Sequence, residues 1–438
     1  MKIRYFIRFV PAFLARFKGV LGIGVLLGLA SFVVLQIIYP ALSGQTQRIG
    51  ITGRYQSNNL PNEILTQIGS GLTHLNEAGE VEPDLAESWE VKDEGKTWIF
   101  HLKKDLKWQD GKEVTADTVN YTFEDVRTEI PDKYTLVFKL DSAFAPFPAV
   151  LAKPAFKKGL LGTGEWRVTD ISLAGNFVQK LILKNKEGNR QIIKFYPTEE
   201  RTKLAFELGE VDVLQKLINP EPFNKWSVVK INEEVATDRF VGIFFNTQEG
   251  SLADKSLRQA LSYAIDKNTF NAKRALGPIS PNSWAYNPQI KPYDFSRERA
   301  KELLTELPDE VQKSLEVKLV TTPALLSIAE KIASDWEEIG IKTSVQVTSI
   351  LPNEYQAFLA IYDVPQDPDQ YSTWHSTQQE TNITKYSNPR IDKLLEDGRL
   401  ELDKEERKKI YLDFQRFLLE DAPAVFLYHP TSYSVTRK

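Results

Sequence analysis

The sequence predicts an α/β protein of two lobes standing behind an N-terminal apolar segment. Two observations carry the lobes: a strand-helix-strand pattern occurs once near residue 200 and again near residue 330, with no short-period repeat linking them. A third carries the leading segment: from Gly19 to Tyr39 the chain runs GVLGIGVLLGLASFVVLQIIY without a charge.

That run comes first in the chain. At about 1.5 Å per residue a helix of this length spans roughly 30 Å, the thickness of a bilayer's hydrocarbon core. Lys2, Arg4, Arg8, Arg16 and Lys18 precede it with no acid among them, which places residues 1–18 in the cytoplasm and the main body outside it. The expectation is a transmembrane anchor or uncleaved signal at 19–39. A cleaved signal peptide is the competing reading, with Ala41-Leu42-Ser43 as a small-residue cleavage site. Gln45 stands where a lipoprotein would need cysteine.

Next comes an α+β block. TWIFHL (Thr97 to Leu102) and YTLVFKL (Tyr134 to Leu140) alternate apolar and polar residues as half-buried strands do. Asp110-Gly111 marks a turn between them, and Thr115 is placed to cap a helix with Val119, Phe123 and Val126 on one face. In the first βαβ pattern QIIKFYP (Gln191 to Pro197) is a strand, Thr198 caps a helix opening on Glu199-Glu200, Gly209 ends it, and Val211 and Val213 begin another strand. In the second, LEVKLV (Leu315 to Val320) precedes a helix with Leu325, Ile328, Ala329, Ile332, Trp336 and Ile339 on one face; Gly340 stops it and Val345 and Val347 follow. Such crossovers imply parallel strands. Further helices are signalled by the stripe Leu257, Ala260, Leu261, Ala264 and Ile265, by Asn388-Pro389, and by Asp403 with Glu406.

Composition narrows the function. The chain carries net charge −4, and without its five N-terminal basic residues 50 bases face 59 acids, a charge of −9. Nucleic acid is therefore excluded as a partner, because it needs a basic footprint. With no cysteine there is no disulfide and no thiolate chemistry. The four histidines, His74, His101, His375 and His429, fall in no zinc-protease, esterase or phosphate-loop motif. No catalytic residue, metal ligand or cofactor is expected, and His101 and His429 read as structural.

The stretch Ile64 to Val126 resembles the family 5 solute-binding proteins, the extracytoplasmic receptors of peptide and nickel ABC importers. The residues that carry this are Pro83-Asp84-Leu85-Ala86, Ser88-Trp89, Lys96-Thr97-Trp98, Leu106-Lys107-Trp108, Asp110-Gly111, Thr115-Ala116-Asp117 and Val119. GTGEW (Gly162 to Trp166), FELGEVDVL (Phe206 to Leu214), FNTQEGSLADKSLRQALSYAID (Phe245 to Asp266), WAYNP (Trp284 to Pro288) and the long match from Ser387 to Pro430 extend it over nearly the whole exported chain. The resemblance implies a periplasmic-binding-protein-like fold of the large three-subdomain type: lobe I from 45–57, 156–245 and 426–438, an inserted subdomain at 58–155, and lobe II at 246–425.

It also implies where a solute sits. YDVPQDPDQYSTWHS (Tyr362 to Ser376) is similar to the segment lining the family's cleft, where peptide binders use an aspartate to pair with the ligand's ammonium. Asp363 is the candidate, one residue out of register when Asp367-Pro368-Asp369 is aligned; the alternative is a loop cap or a solvated acid. Asp367 and Asp369 are expected to cap a turn and the segment after it, and a calcium site lacks the spacing of a known loop. Tyr362, Trp374, Trp284 and Tyr286 are candidate cleft walls, with lobe core the competing role for each, and Asn246 is a further ligand candidate. Dipeptide-binding relatives carry an arginine after the strand that LEVKLV matches, whereas Thr321 to Leu326 offers no base. The expected function is a monomeric, membrane-tethered, non-enzymatic substrate-binding protein that delivers a peptide or other small solute to ABC permease subunits. A receptor without transport and a surface hydrolase are the alternatives.

Overall fold

In a computed structural model, residues 16–20, 22–29, 31–32, 44–309, 312, 315–349 and 354–438 are described. The expected cytoplasmic segment ahead of residue 16, part of 19–39, and the cleavage site at 41–43 lie outside them. Residues 16–20, 22–29 and 31–32 are helical, and Val20, Ile23, Val25, Leu26, Leu27, Leu29 and Phe32 each expose 55–70% of their surface. Among the described residues no helix is long and apolar enough to cross a membrane.

The chain divides into two compact units, one ending at Asn59 and resuming over Glu165–Leu214, the other formed by Leu60–Gly164 and Gln215–Lys438. In the first, β1 (Thr46–Thr52), β2 (Arg167–Ala174), β3 (Phe177–Lys184) and β4 (Arg190–Tyr196) share one sheet in the order β1-β4-β3-β2. β1 runs parallel to β4, while β4 with β3 and β3 with β2 are antiparallel. Alternation along these strands buries Ile49, Ile51, Leu181, Leu183, Ile193 and Phe195. Helix α1 (Glu199–Glu207) follows as the sequence predicts, with the Thr198 hydroxyl accepting from the Arg201 N–H. Gly209 ends the turn at φ +75°, where only glycine is unstrained. Arg48 then fastens the helix exit to the sheet, with a bidentate pair to Asp212 at 2.7 and 2.5 Å and a bond to the Gly209 carbonyl at 2.8 Å.

In the second unit the strands Ala86–Lys92, Thr97–Leu102, Thr135–Leu140 and Val126–Asp132 form an antiparallel sheet in that order. Trp98, Phe100, Leu102, Leu136 and Phe138 fill its core, as their alternation predicts. The helix expected after Thr115 is absent. A single 3-10 turn, Ala116–Thr118, takes the cap, and Val126 begins a strand instead. Val119, Tyr121, Thr122 and Phe123 are β-branched or aromatic, so helix propensity is poor there; Tyr121 and Phe123 instead lie parallel with centroids 5.9 Å apart and pack edge-on to Phe138.

The remainder is built on a six-stranded sheet. β5 (Val229–Val235) leads into β6 (Arg239–Phe245), followed by α2 (Lys255–Ala264), β7 (Glu316–Thr321), α3 (Leu326–Glu337), β8 (Lys342–Val347), β9 (Ala357–Asp363), α4 (Tyr371–Trp374), α5 (Pro389–Leu400), α6 (Lys404–Asp421), β10 (Ala424–His429) and β11 (Thr431–Arg437). The sheet order is the short strand Lys273–Arg274, then β10-β6-β9-β7-β8. β7 and β8 pair in parallel across α3, which is the βαβ unit read from LEVKLV onward. Both faces are covered: Val241, Ile243, Phe245, Leu359 and Ile361 meet α2 and α3, while Phe240, Phe244, Ala360 and Tyr362 meet α5 and α6. β5 and β11 leave this sheet and pair with each other, antiparallel, elsewhere.

Candidate functional site

Two connections run between those pairings, and they lie side by side. β5 reaches β6 through Ala236–Asp238 and β10 reaches β11 through Pro430 alone; the Ala236 N–H donates to the Pro430 carbonyl at 2.9 Å. Beside them is a cavity of about 360 Å³ whose wall includes Glu63, Lys216, Arg239, Ile361, Thr237 and Thr431. That volume lies at the small end of the range for ligand pockets.

Strand alternation decides which side chains reach it. Arg239 and Asp363 are opposite one another in the β6-β9 register, on the face that carries Ile361, and an Arg239 Nη stands 3.0 Å from the Asp363 carboxylate. Asp363 itself is 80% exposed at its side chain. The Arg239 backbone is held by its own N–H to Ala236 O at 3.3 Å and by Nδ1 of His429, which donates to Arg239 O at 2.8 Å. Burial lowers the His429 pKa and Lys273 acts in the same sense, against the hydrogen bond to Arg239 O and the charge of Asp238, which raise it. Lys216 is ion-paired with Glu63 and adopts φ +57°, a strained conformation for a long side chain. Burial pushes the Glu63 carboxyl up, but hydrogen bonds from Lys216 and a backbone N–H, with the charges of Lys216 and Arg239, hold it below its usual value.

The other candidates fall elsewhere. Tyr362 alternates to the opposite face, where its ring lies 5.5 Å from Phe240 and 5.6 Å from Phe244 and its hydroxyl meets Thr373. Trp374 is 1% exposed in the same aromatic cluster, with its indole N–H on Gln370 at 3.2 Å. Trp284 is half-buried against Tyr411 and the Arg407 guanidinium. Tyr286, also half-buried, donates its backbone N–H to Ser283 O at 3.0 Å. Asn246 follows the far end of β6, where its amide donates to Tyr355 O at 3.1 Å. At about 3.3 Å per strand residue it is roughly 23 Å from Arg239, so one small solute cannot touch both.

The aspartates after Asp363 have a different task. Asp367 accepts the backbone N–H of Asp369 and Asp369 accepts that of Tyr371, at 2.9 and 3.0 Å, capping two successive turns. Asp367 also takes a bidentate pair from Arg407 at 2.7 and 3.1 Å, while Asp369 binds Arg399 at 2.9 Å. Burial pulls the Arg407 pKa down, but Asp367 and Tyr411 outweigh it and raise it overall. The two carboxylates point to separate arginines, and among the described residues no cluster of three or more metal-ligating side chains is found. This loop is a brace for the end of β9.

Arg239, Lys216 and Glu63 were not legible in the sequence. Arg239 is one base ahead of an apolar strand, and its partner Asp363 is paired with it only by the sheet register.

Comparison with known proteins gives the site its context. The dipeptide-binding protein of Escherichia coli is 24% identical, with 82% of this chain and 83% of that one covered; the oligopeptide-binding protein AppA of Bacillus subtilis is 24% identical over 86% of this chain and 84% of its own. Among solved structures, NikZ from Campylobacter jejuni in complex with Ni(L-His) superposes with TM-score 0.74 at 23% identity, covering 90% of this chain and 94% of that one. AppA from Bacillus subtilis in complex with a nonapeptide gives 0.70 at 22%, with 90% and 95% covered. These likenesses establish the periplasmic-binding-protein-like α/β fold. The family model for bacterial extracellular solute-binding proteins, family 5, matches residues 80–382, well over half of the chain, and this protein belongs to that family.

Proposed function

We propose that the protein is the substrate-binding subunit of an ABC importer, captures a peptide-like solute outside the cell, and is held at the membrane by residues 19–39. Capture is not catalysis, and no chemical step is assigned to the site. One observation carries the reading: the two sheet-to-sheet connections run side by side next to a cavity lined with separated charges. Connections of three residues and one residue can absorb a bend while the sheets they join stay rigid, which is the arrangement a hinge-closing binder needs. Closure of lobe I with its inserted subdomain on lobe II would take the solute out of water, where an ion pair is stronger than on an exposed surface.

Tethering is supported by the 19–39 run and by the exposed apolar side chains of Val20, Ile23, Val25, Leu26, Leu27, Leu29 and Phe32. A helix apolar on all sides needs an apolar environment. Asp363 is proposed as the partner of the solute's ammonium, and the half-buried Trp284 and Tyr286 as apolar walls carried on the same lobe.

The test is native mass spectrometry of the intact chain purified from mild detergent without refolding. A ladder of peptide masses supports a sequence-tolerant peptide receptor, and one defined non-peptide mass overturns the peptide reading.

A further inference from the structure

We infer that the first unit's sheet, at the end where β1 begins, rests on anionic phospholipid headgroups through Arg167, Lys184, Lys186 and Arg190. This rests on the tethering reading above and adds the surface that orients the tethered protein.

Strand register gathers these bases. In the order β1-β4-β3-β2, Thr46 lies opposite Arg190, Arg190 opposite Lys184 and Lys184 opposite Arg167, so three cations form a row on one face of the sheet. Lys186 stands in the β3-β4 turn, which Asn185 fastens by accepting the Asn189 N–H at 2.8 Å. All four bases are exposed, and among the described residues none of them makes an ion pair. Four residues farther along the same face the lysines are neutralised: Lys180 pairs with Asp170 at 3.3 Å and Lys194 with Glu210 at 3.4 Å. The acids at the basic end, Glu165 and Glu187, accept instead from the amides of Asn185 and Asn189, each at 3.1 Å. Like charges directly opposite one another destabilise a sheet, and an external anion relieves that repulsion. Residues 165–190 hold five bases against three acids, whereas the exported chain holds 50 against 59, so positive charge is concentrated at this end.

Chain length puts the same end beside a bilayer. Five residues, 40–44, separate Tyr39 from Gln45, and Gln45 O accepts the Arg190 N–H at 2.8 Å. Even at about 3.5 Å per residue, this link keeps Gln45 within roughly 20 Å of the end of the apolar run, and headgroups fill about 5–7 Å of that distance. The opposite turn, at Gly175, lies roughly 23 Å along the strands from the basic row. Anionic headgroups attract bases that come within about a Debye length, ~8 Å. A basic patch by itself does not anchor a protein, because stable attachment takes two signals. Joined to a tether, it decides which end faces the lipid.

The chain has no cysteine, so Glu187→Cys or Asn176→Cys places a fluorophore at one position, at the basic end or at the opposite turn. Full-length protein is reconstituted into vesicles of phosphatidylcholine alone or with about one third phosphatidylglycerol, each containing a headgroup-labelled quencher lipid. The dye on Glu187→Cys is expected to be quenched at least about twofold more in the anionic vesicles, an excess that disappears in about 0.5 M salt. Arg167→Gln, Lys184→Gln, Lys186→Gln and Arg190→Gln together abolish the excess, while Lys180→Gln with Lys194→Gln leaves it intact. The dye on Asn176→Cys shows no excess. Equal quenching of Glu187→Cys in the two lipids overturns the inference and assigns the row to an acidic protein surface instead; this comparison stands alone if the fourfold variant fails to fold. An excess that survives in the folded fourfold variant also overturns it. Flotation with neutral vesicles in about 1 M salt reads the tether alone. A chain that floats without lipid-dependent quenching keeps the tether and loses the inference, and one that does not float loses both.

Discussion

Lys267 shows how one buried charge sets a pH response. It is 2% exposed, and its ammonium donates to the carbonyls of Ser262 at 2.6 Å and Tyr293 at 2.7 Å. Burial pulls its pKa down to about 7, and Arg274 acts in the same direction. An unfolded lysine titrates near 10.5, so between those values the unfolded chain binds more protons than the folded one. Stability therefore rises with pH through this window, by up to about 1.4 kcal/mol per unit from this group, and falls toward neutrality. Urea midpoints at about pH 7.5 and 9.5 should show that slope in wild type and lose it in Lys267→Met; an equal slope in the variant would remove Lys267 as its source. Asp363→Asn is expected to weaken peptides with a free amino terminus by about 1–3 kcal/mol by calorimetry, the worth of a charged hydrogen bond once closure desolvates it. Unchanged affinity removes Asp363 from the site.

At the scale of elements, the loop from Val364 to Gln370 is held from two sides. Arg407, 7% exposed, ties it to α6 through Asp367, and Arg399 ties it to α5 through Asp369. On its other side the turn Asn76–Glu80 packs directly against it: a Cβ on Gly79 would lie 2.5 Å from Gln366 O, and Gly79 has φ +74°. The Trp284 N–H donates to Ala78 O at 2.9 Å, and Glu80 pairs with Lys404. Arg407→Ala leaves the partly buried Asp367 carboxylate without its partner and should cost up to about 3 kcal/mol in urea unfolding. Gly79→Ala meets both a contact and a backbone penalty, and a loss of about 1–3 kcal/mol is expected. A Gly79→Ala variant as stable as wild type would mean that the turn does not rest on the loop.

For the whole molecule, the prediction concerns tether and closure. Removing residues 1–40 should leave a folded protein that no longer sediments with membranes and keeps its affinity for solute. Loss of binding in that fragment would count against a tether with no further role. Solution scattering should show a smaller radius of gyration at saturating solute, and an unchanged profile would sink the closing mechanism.

Strong local patterns were legible because they encode themselves over few residues. TWIFHL and YTLVFKL are strands since alternation buries one face, and Thr198, Asn388 and Asp403 cap their helices with the side chains the sequence offers. The spacing of Val119, Phe123 and Val126 misled because three residues fit a helical face by chance while the intervening side chains resist helix. The family motifs, spread over most of the chain, determined fold and function class by themselves. What only the tertiary structure decided is where charges meet. Whether Asp363 faces Arg239, whether Tyr362 turns into the core, and whether Asp367 and Asp369 bind a ligand or a helix each depend on sheet register and on partners distant in the chain. A sequence pattern of local period carries no term for such contacts, since their geometry exists only once the strands have paired.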